Sequence, residues 1–425
     1  MIETPLGSTP MRTTESRASL MVVGERVTSR LPGQRKESEV KGQPLIRITQ
    51  SCAPEARDAA RAFHAAVEQP DMALVIFFCS SEYDLEVLAE EMKRLFAGVQ
   101  VVGCTTAGEI GPAGYREHSL TGASFPAGDF QAVSGSIDCL KQFDSATGQA
   151  VAVDLLKKLK GLAPQADAAN SFALLLIDGL SVREEPVTRA LQNALGKLPL
   201  VGGSAGDGLN FGSTRVYFDG SFRSDSAILT VVTTRLPFKL FKTQHFVATD
   251  ERMVVTEADA ARRIVKEING LPAALEYARV LGIDAADLDP MCFAASPVVV
   301  TIDGAAYVRS IQKANPDGSL TFFCAIENGL VLRVARGVDL LENLEQVFAQ
   351  IRAEIGPPQF ALGCDCILRK LEISPTALKD RVAEVFLRNN TIGFNTYGEQ
   401  FNGLHVNQTL VGIAIGRGAA EADGD

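Results

Sequence analysis

Three short stretches decide the fold: Gly103-Cys-Thr-Thr-Ala-Gly108-Glu109, Gly202-Gly-Ser-Ala-Gly206-Asp207 and Gly393-Phe-Asn-Thr-Tyr-Gly398-Glu399. Each is a glycine turn ending in a carboxylate, and each closes the same order of elements. Ahead of the first lie a helix at about Glu55 to Val67, an apolar strand Ala73 to Phe78, a helix with Leu85, Leu88, Met92 and Leu95 on one face, and a strand Val99 to Val102. Ahead of the second come a helix near Val151 to Leu162, a strand Phe172 to Ile177 and a helix striped by Val187, Leu191, Ala194, Leu195 and Leu198. The tetrad Ser181-Val-Arg-Glu184 has capping-box spacing and is expected to open that helix. The third copy reads as a helix near Leu340 to Ile355, a strand around Phe360 to Leu368, and a helix opened by Ser374-Pro375 with Leu378, Val382, Val385 and Phe386 on one face. A strand follows every turn. The recurrence predicts an α/β (mixed α+β) fold of duplicated helix-strand-helix-strand-turn-strand units, forming mixed sheets covered by helices. The interval from the second turn to the third is roughly twice that from the first to the second, leaving room for an eroded further unit.

Composition sets the outer bounds. The chain has 425 residues, 46% apolar and 22% charged, as soluble globular proteins do. No apolar run approaches the roughly 18 residues of a membrane-spanning helix, so no membrane insertion is expected. A formal charge of −10 leaves no whole-chain footprint for nucleic acid. Residues 1–44 read as a flexible polar arm whose patch Leu20-Met-Val-Val23 is too short for a secretory signal, and 418–425 as a disordered acidic tail. A cytoplasmic protein with reduced, mostly buried thiols follows as the expectation.

The turns also exclude chemistry. Gly103 to Gly108 and Gly393 to Gly398 have P-loop glycine spacing, but glutamate stands where a phosphate site needs lysine, so no nucleotide cofactor is expected. Gly202-Gly-Ser204-Ala-Gly206 spells a nucleophile elbow, and a serine hydrolase built on Ser204 is an alternative reading. An elbow needs a helix after it, whereas the strand-like Thr214-Arg-Val-Tyr-Phe218 follows here. Cys364 and Cys366 lack a second Cys/His pair at metal-site spacing and read as buried structural thiols. The four histidines can be weighed singly. His64 borders a helix, and His118 lies in a polar loop. His245 lies in the alternating segment Leu240 to Val247. His405 shares a strand face with Asn407 and Thr409 that turns apolar at Val411 and Ile413, as a pocket with a polar mouth would read.

Val102-Gly-Cys-Thr-Thr-Ala-Gly-Glu109, Glu267-Ile-Asn-Gly-Leu-Pro-Ala-Ala-Leu-Glu-Tyr277, Gly393 to Gln400 and His405-Val-Asn-Gln-Thr409 together resemble the FIST sensory family. The resemblance implies a FIST N-terminal domain over 45–236 and a FIST C-terminal domain over 237–417. Through Lys242-Thr-Gln-His-Phe246 and Tyr307-Val-Arg-Ser-Ile-Gln-Lys313 it is closest to the bacterial haem-binding, nitric-oxide-sensing branch. That branch implies a non-enzymatic sensor holding haem b and regulating a histidine kinase or a diguanylate cyclase or phosphodiesterase, with homo-oligomers compatible. Carried onto this chain, His245 becomes the expected iron ligand with His405 as the other candidate. Asn407 joins the cofactor-binding residues, and Arg309 and Lys313 become propionate partners. A FIST module for another small, amino-acid-like ligand without haem is the alternative.

Overall fold

The apolar runs become strands, and burial on both faces explains why they are apolar throughout rather than alternating. The computed structural model describes residues 45–418 apart from 303, 375 and 376; the expected arm and, beyond Gly418, the expected tail lie outside the described residues. The first unit comprises β1 (Arg47–Ser51), α1 (Ala56–Val67), β2 (Met72–Ser80), α2 (Leu85–Leu95), β3 (Val101–Thr106), the hairpin β4 (Glu109–Gly111) and β5 (Gly114–Arg116), and β6 (Leu120–Pro126). The second repeats it as β7 (Phe130–Asp138), α3 (Ser145–Leu162), β8 (Ser171–Ile177), α4 (Glu184–Leu195), β9 (Leu200–Ser204), the hairpin β10 (Val216–Phe218) and β11 (Ser221–Arg223), and β12 (Ser226–Thr234).

The third unit opens with β13 (Phe238–Thr243) and is then interrupted. The surplus length is an inserted antiparallel sheet rather than an eroded copy: β14 (Phe246–Asp259), β15 (Ile264–Ile268), β16 (Leu271–Pro272), α5 (Ala273–Leu281), α6 (Pro290–Ala295), β17 (Val298–Ile302), β18 (Ala305–Arg309), β19 (Ile311–Ala314), β20 (Leu320–Phe322) and β21 (Val331–Gly337). The unit resumes with α7 (Leu340–Ile355), β22 (Phe360–Cys366), α8 (Ile367–Ile373), α9 (Leu378–Arg388), β23 (Thr391–Thr396), the hairpin β24 (Glu399–Phe401) and β25 (Leu404–Val406), and β26 (Leu410–Ile415).

Each unit builds four strands of one sheet in the same order: β1-β6-β2-β3, β7-β12-β8-β9 and β13-β26-β22-β23. In each, the pair joined through a helix is parallel and the other pairs are antiparallel. The hairpin after each glycine turn leaves its own sheet. β4-β5 pairs with β23, β10-β11 with β3 and β24-β25 with β9, so the three units exchange hairpins in a ring. The inward faces share one core, in which Phe78 stacks on Phe394 at 4.3 Å and Ile76, Leu174, Val201, Leu362 and Ile413 are buried. The outward faces pack under α1 and α2, α3 and α4, and α7 and α9.

Three local expectations change. Glu184 begins α4, but no capping box forms: Arg183 is the N-cap, and Ser181 Oγ accepts only from Arg183 N at 3.3 Å, because Glu184 is drawn away to Arg263. The strand expected to reach Leu368 ends at Cys366, and Ser374 closes α8 instead of opening the next helix, while Pro375 lies outside the described residues. The segment Leu240 to Val247 is not one strand. It breaks at Gln244-His245, where the chain leaves β13 for the inserted sheet.

Candidate functional site

The exchanged hairpins are superposable by register, which makes each a control for the others. On the face turned towards the covering helix, β4-β5 places Ile110 opposite Tyr115, and β10-β11 places Tyr217 opposite Phe222. These pairs are conventional packing: Tyr115 meets Phe386 of α9, and Tyr217 lies 5.2 Å from Phe222 in the core beneath α1 and α2. In β24-β25 the same positions hold Gln400 and His405, with Asn407 just beyond, beneath α4. All three are buried.

Their hydrogen bonding is incomplete. Gln400 Nε2 donates to the Gly398 carbonyl (3.2 Å), to Ser204 Oγ (3.0 Å) and towards His405 Nδ1 (3.2 Å). A carbonyl only accepts, so this orients the amide, makes Nδ1 the acceptor and leaves the imidazole proton on Nε2. His405 Nε2, Gln400 Oε1 and both amide atoms of Asn407 have neither a partner nor solvent contact. Each such buried group costs about 1–3 kcal/mol. Gly398 makes the arrangement possible, since a Cβ there would stand 2.2 Å from His405 Cε1 and 3.1 Å from Asn407 Nδ2. Burial depresses the His405 pKa; Glu185 and Glu184 oppose this, while Arg263 and Arg309 reinforce it, so the ring is neutral.

The inserted sheet lies alongside. Its edge strand β18 runs beside β25 and carries Arg309, whose Nε is also buried and unpartnered. Arg263 bonds Glu184 at 2.6 Å, Glu185, and the Phe323 carbonyl at 2.7 Å, while Ala325 N donates to Glu185 at 2.6 Å. Gln408 donates to the Ala294 carbonyl at 2.8 Å and accepts from Ser310 Oγ at 3.1 Å. On α4, Thr188 is buried with its hydroxyl unpartnered.

The structure thus brings His405 and Asn407 together against Gly398, with Arg309 on the neighbouring strand β18, and places the other two sequence candidates elsewhere. Lys313 is exposed on β19, in a depression lined by Asp259, Arg262, Lys266 and Asp317. His245 stands at the neck of the inserted sheet with no side-chain exposure. Its Nε2 donates to Glu372 (2.9 and 3.0 Å), and Arg369 Nη1 donates to its Nδ1 at 3.0 Å. Arg369 in turn donates to Asp365 at 2.6 Å, and Tyr115 bonds the other Asp365 oxygen at 3.1 Å. Burial lowers the His245 pKa, against the pull of Glu372.

The residues do not fit haem as arranged. Both His245 nitrogens are committed, the unpartnered His405 nitrogen carries a proton, and the groups gathered near His405 include two amides and a guanidinium. Among the described residues no group of three His, Cys, Asp or Glu side chains is placed to hold a metal. Ser204 is fully buried, and an extended loop follows it where an elbow needs a helix. Cys364 and Cys366 are buried, and burial raises both thiols far above their usual range. Sequence reasoning missed Gln400, Thr188, Glu184, Glu185 and Arg263. Laying the three hairpins side by side would have exposed Gln400.

A ring of three α/β units with a sheet set into the last is matched by two consecutive family descriptions: the FIST N domain over residues 73–271 and the FIST C domain over 273–402. The chain therefore belongs to the FIST family of sensory domains. Solved structures similar to it include cyanuric acid hydrolase from A. caulinodans, with 10% identity over 88% of this chain and 100% of that one and a TM-score of 0.34. A second cyanuric acid hydrolase has 9% identity over 88% and 99%, and a TM-score of 0.36. No curated protein matches the chain. No helix among the described residues is long and apolar enough to cross a membrane.

Proposed function

We propose that this FIST protein is a sensor that takes a small polar ligand between the β24-β25 hairpin and the edge of the inserted sheet. The observation that carries the reading is the replacement, in one of three equivalent hairpins, of an apolar pair by Gln400 and His405 with unpartnered polar atoms. A ligand that satisfies those atoms recovers their desolvation cost on binding. These atoms are buried, so entry requires the inserted sheet to move. That sheet hangs on two adjacent strand connections, Gln244-His245 and Gly337-Val338, joined by the Val338 N to His245 carbonyl bond of 2.7 Å. Occupancy would bias the angle of the sheet at this neck, and a histidine kinase or a cyclic-di-GMP enzyme would read that angle.

The test is a thermal-shift screen of polar metabolites against the wild type and a His405→Leu/Asn407→Leu double variant. A ligand that stabilises only the wild type supports the site; equal stabilisation of both proteins moves it elsewhere. The haem reading requires His245 to release Arg369 from Nδ1, its Nε2–H remaining on Glu372 as the hydrogen bond that orients a ligating imidazole. A Soret band after haem addition that shifts with nitric oxide and disappears in His245→Ala would restore that reading.

A further inference from the structure

We propose that the ligand presents an uncharged cis-amide edge, one N–H beside one C=O as in a lactam or cyclic ureide, and that Asn407 reads this edge; the inference rests on the polar cluster of β24-β25 being the ligand site. Four buried polar atoms on Gln400, His405 and Asn407 are left unpaired. Asn407 offers Nδ2 and Oδ1 together, both buried and both without a partner. A side-chain amide with both ends free is matched in its own plane by a neighbouring donor and acceptor, the geometry with which asparagine reads a base edge. His405 Nε2–H adds a donor and Gln400 Oε1 an acceptor. The free groups therefore alternate in sense, as an amide's do, instead of being all donors as an anion requires.

Charge points the same way. An α-amino acid would bring an ammonium needing a free carboxylate, but Glu184 is held by Arg263, and Glu185 by Arg263 and the Ala325 N–H. A phosphate or dicarboxylate would need more than one free cation. Arg263 is spent on those two glutamates, which leaves Arg309 at the rim to meet a carbonyl oxygen. Glu399 does not alter this balance. It alternates to the other face of β24, where Thr409 N and Oγ1 donate to it at 3.2 and 2.8 Å, and burial raises its carboxyl well above the usual carboxylate range.

The experiment measures melting temperature and calorimetric binding of the full chain with 2-pyrrolidone and hydantoin. N-methyl-2-pyrrolidone and 1,3-dimethylhydantoin, which lack the N–H, serve as controls, with glycine and acetate as charged comparators. Saturating cyclic amide is expected to raise the melting temperature by about 2–4 °C. The methylated partners should give no shift, and Asn407→Asp and Asn407→Leu, each checked for native circular dichroism, should abolish the response. Equal shifts from methylated and unmethylated probes, or no shift from either cyclic amide, overturn the inference. Stabilisation by glycine or acetate that is lost in His405→Leu overturns the amide class while keeping the site. Cyclic-amide binding unaffected by His405→Leu, Asn407→Leu and Asn407→Asp overturns the site itself.

Discussion

The hairpins β4-β5 and β24-β25 follow nearly identical turns, Gly103 to Glu109 and Gly393 to Glu399, and they occupy equivalent places in their sheets. Their inward glutamates are held alike, Glu109 by Ser119 N and Oγ at 3.0 and 2.9 Å and Glu399 by Thr409 N and Oγ1. Thr106 also donates to Glu109, whereas Thr396 donates to the Gly398 carbonyl at 2.7 Å and leaves Glu399 Oε1 bare. Their outward faces differ more. Ile110 and Tyr115 are packing residues, whereas Gln400, His405 and Asn407 are buried polar groups with open valences. One backbone thus serves as scaffold in the first copy and carries the candidate site in the third. The difference marks a candidate site without any reference to other proteins.

Making the scaffold copy resemble the site copy should have the largest effect. Ile110→Gln with Tyr115→His loses the Phe386 contact and the Asp365 hydrogen bond and buries polar atoms with no ligand to satisfy them. A loss of about 4–5 kcal/mol in urea unfolding is expected. A loss below about 1 kcal/mol would mean that this hairpin face tolerates open polar groups, and the contrast between the copies would lose its meaning.

Next comes the pair of glutamates. Burial raises Glu109 to about 7 despite its Thr106 and Ser119 hydrogen bonds, so the folded state keeps this proton longer than the unfolded chain does. Its contribution is therefore complete below pH about 4.5 and is lost as pH rises to about 7, a decline of roughly 3 kcal/mol that Glu109→Gln should remove. Burial also holds Glu399 well above the carboxylate range, against its Thr409 hydrogen bonds, so its contribution declines in the same sense as pH rises and Glu399→Gln should flatten that decline. Coincident pH profiles for the two variants would erase the distinction. The neutral histidines act in the opposite sense: His245 and His405 have lowered pKa values, so their contribution holds above about pH 6.5 and falls away below it.

The smallest effect is the most diagnostic. His405→Leu removes an Nε2 donor that bonds nothing and an Nδ1 acceptor whose Gln400 donor keeps Ser204 Oγ and the Gly398 carbonyl, so the ligand-free protein should change by less than about 1 kcal/mol or gain stability. A loss above about 3 kcal/mol in the same unfolding assay would make His405 a structural residue like its counterpart Tyr115.

Much of this was legible in sequence because it is local. The glycine turns, helix stripes and apolar runs report periodicity and backbone freedom, which neighbouring residues decide. His405 and Asn407 were also within reach, since they sit just past a turn that the pattern had already marked. The choice of His245 as iron ligand rested on resemblance, and nothing near it in sequence announces Glu372 or Arg369. Arg309 and Lys313 look alike as strand cations, and only the packing of β18 beside β25 separates them.

The sequence by itself determined that one unit is built three times and that each copy ends in a glycine turn, because side-chain spacing and glycine need no distant partner. The tertiary structure alone decided where the hairpins go. Ser204 N bonds Thr396 Oγ1 across 192 residues at 2.8 Å, and the Gln400 amide reaches Ser204 across 196. Whether a buried polar atom is satisfied depends on partners that far away in the chain, so the open valences around His405 exist only once the three units have closed their ring.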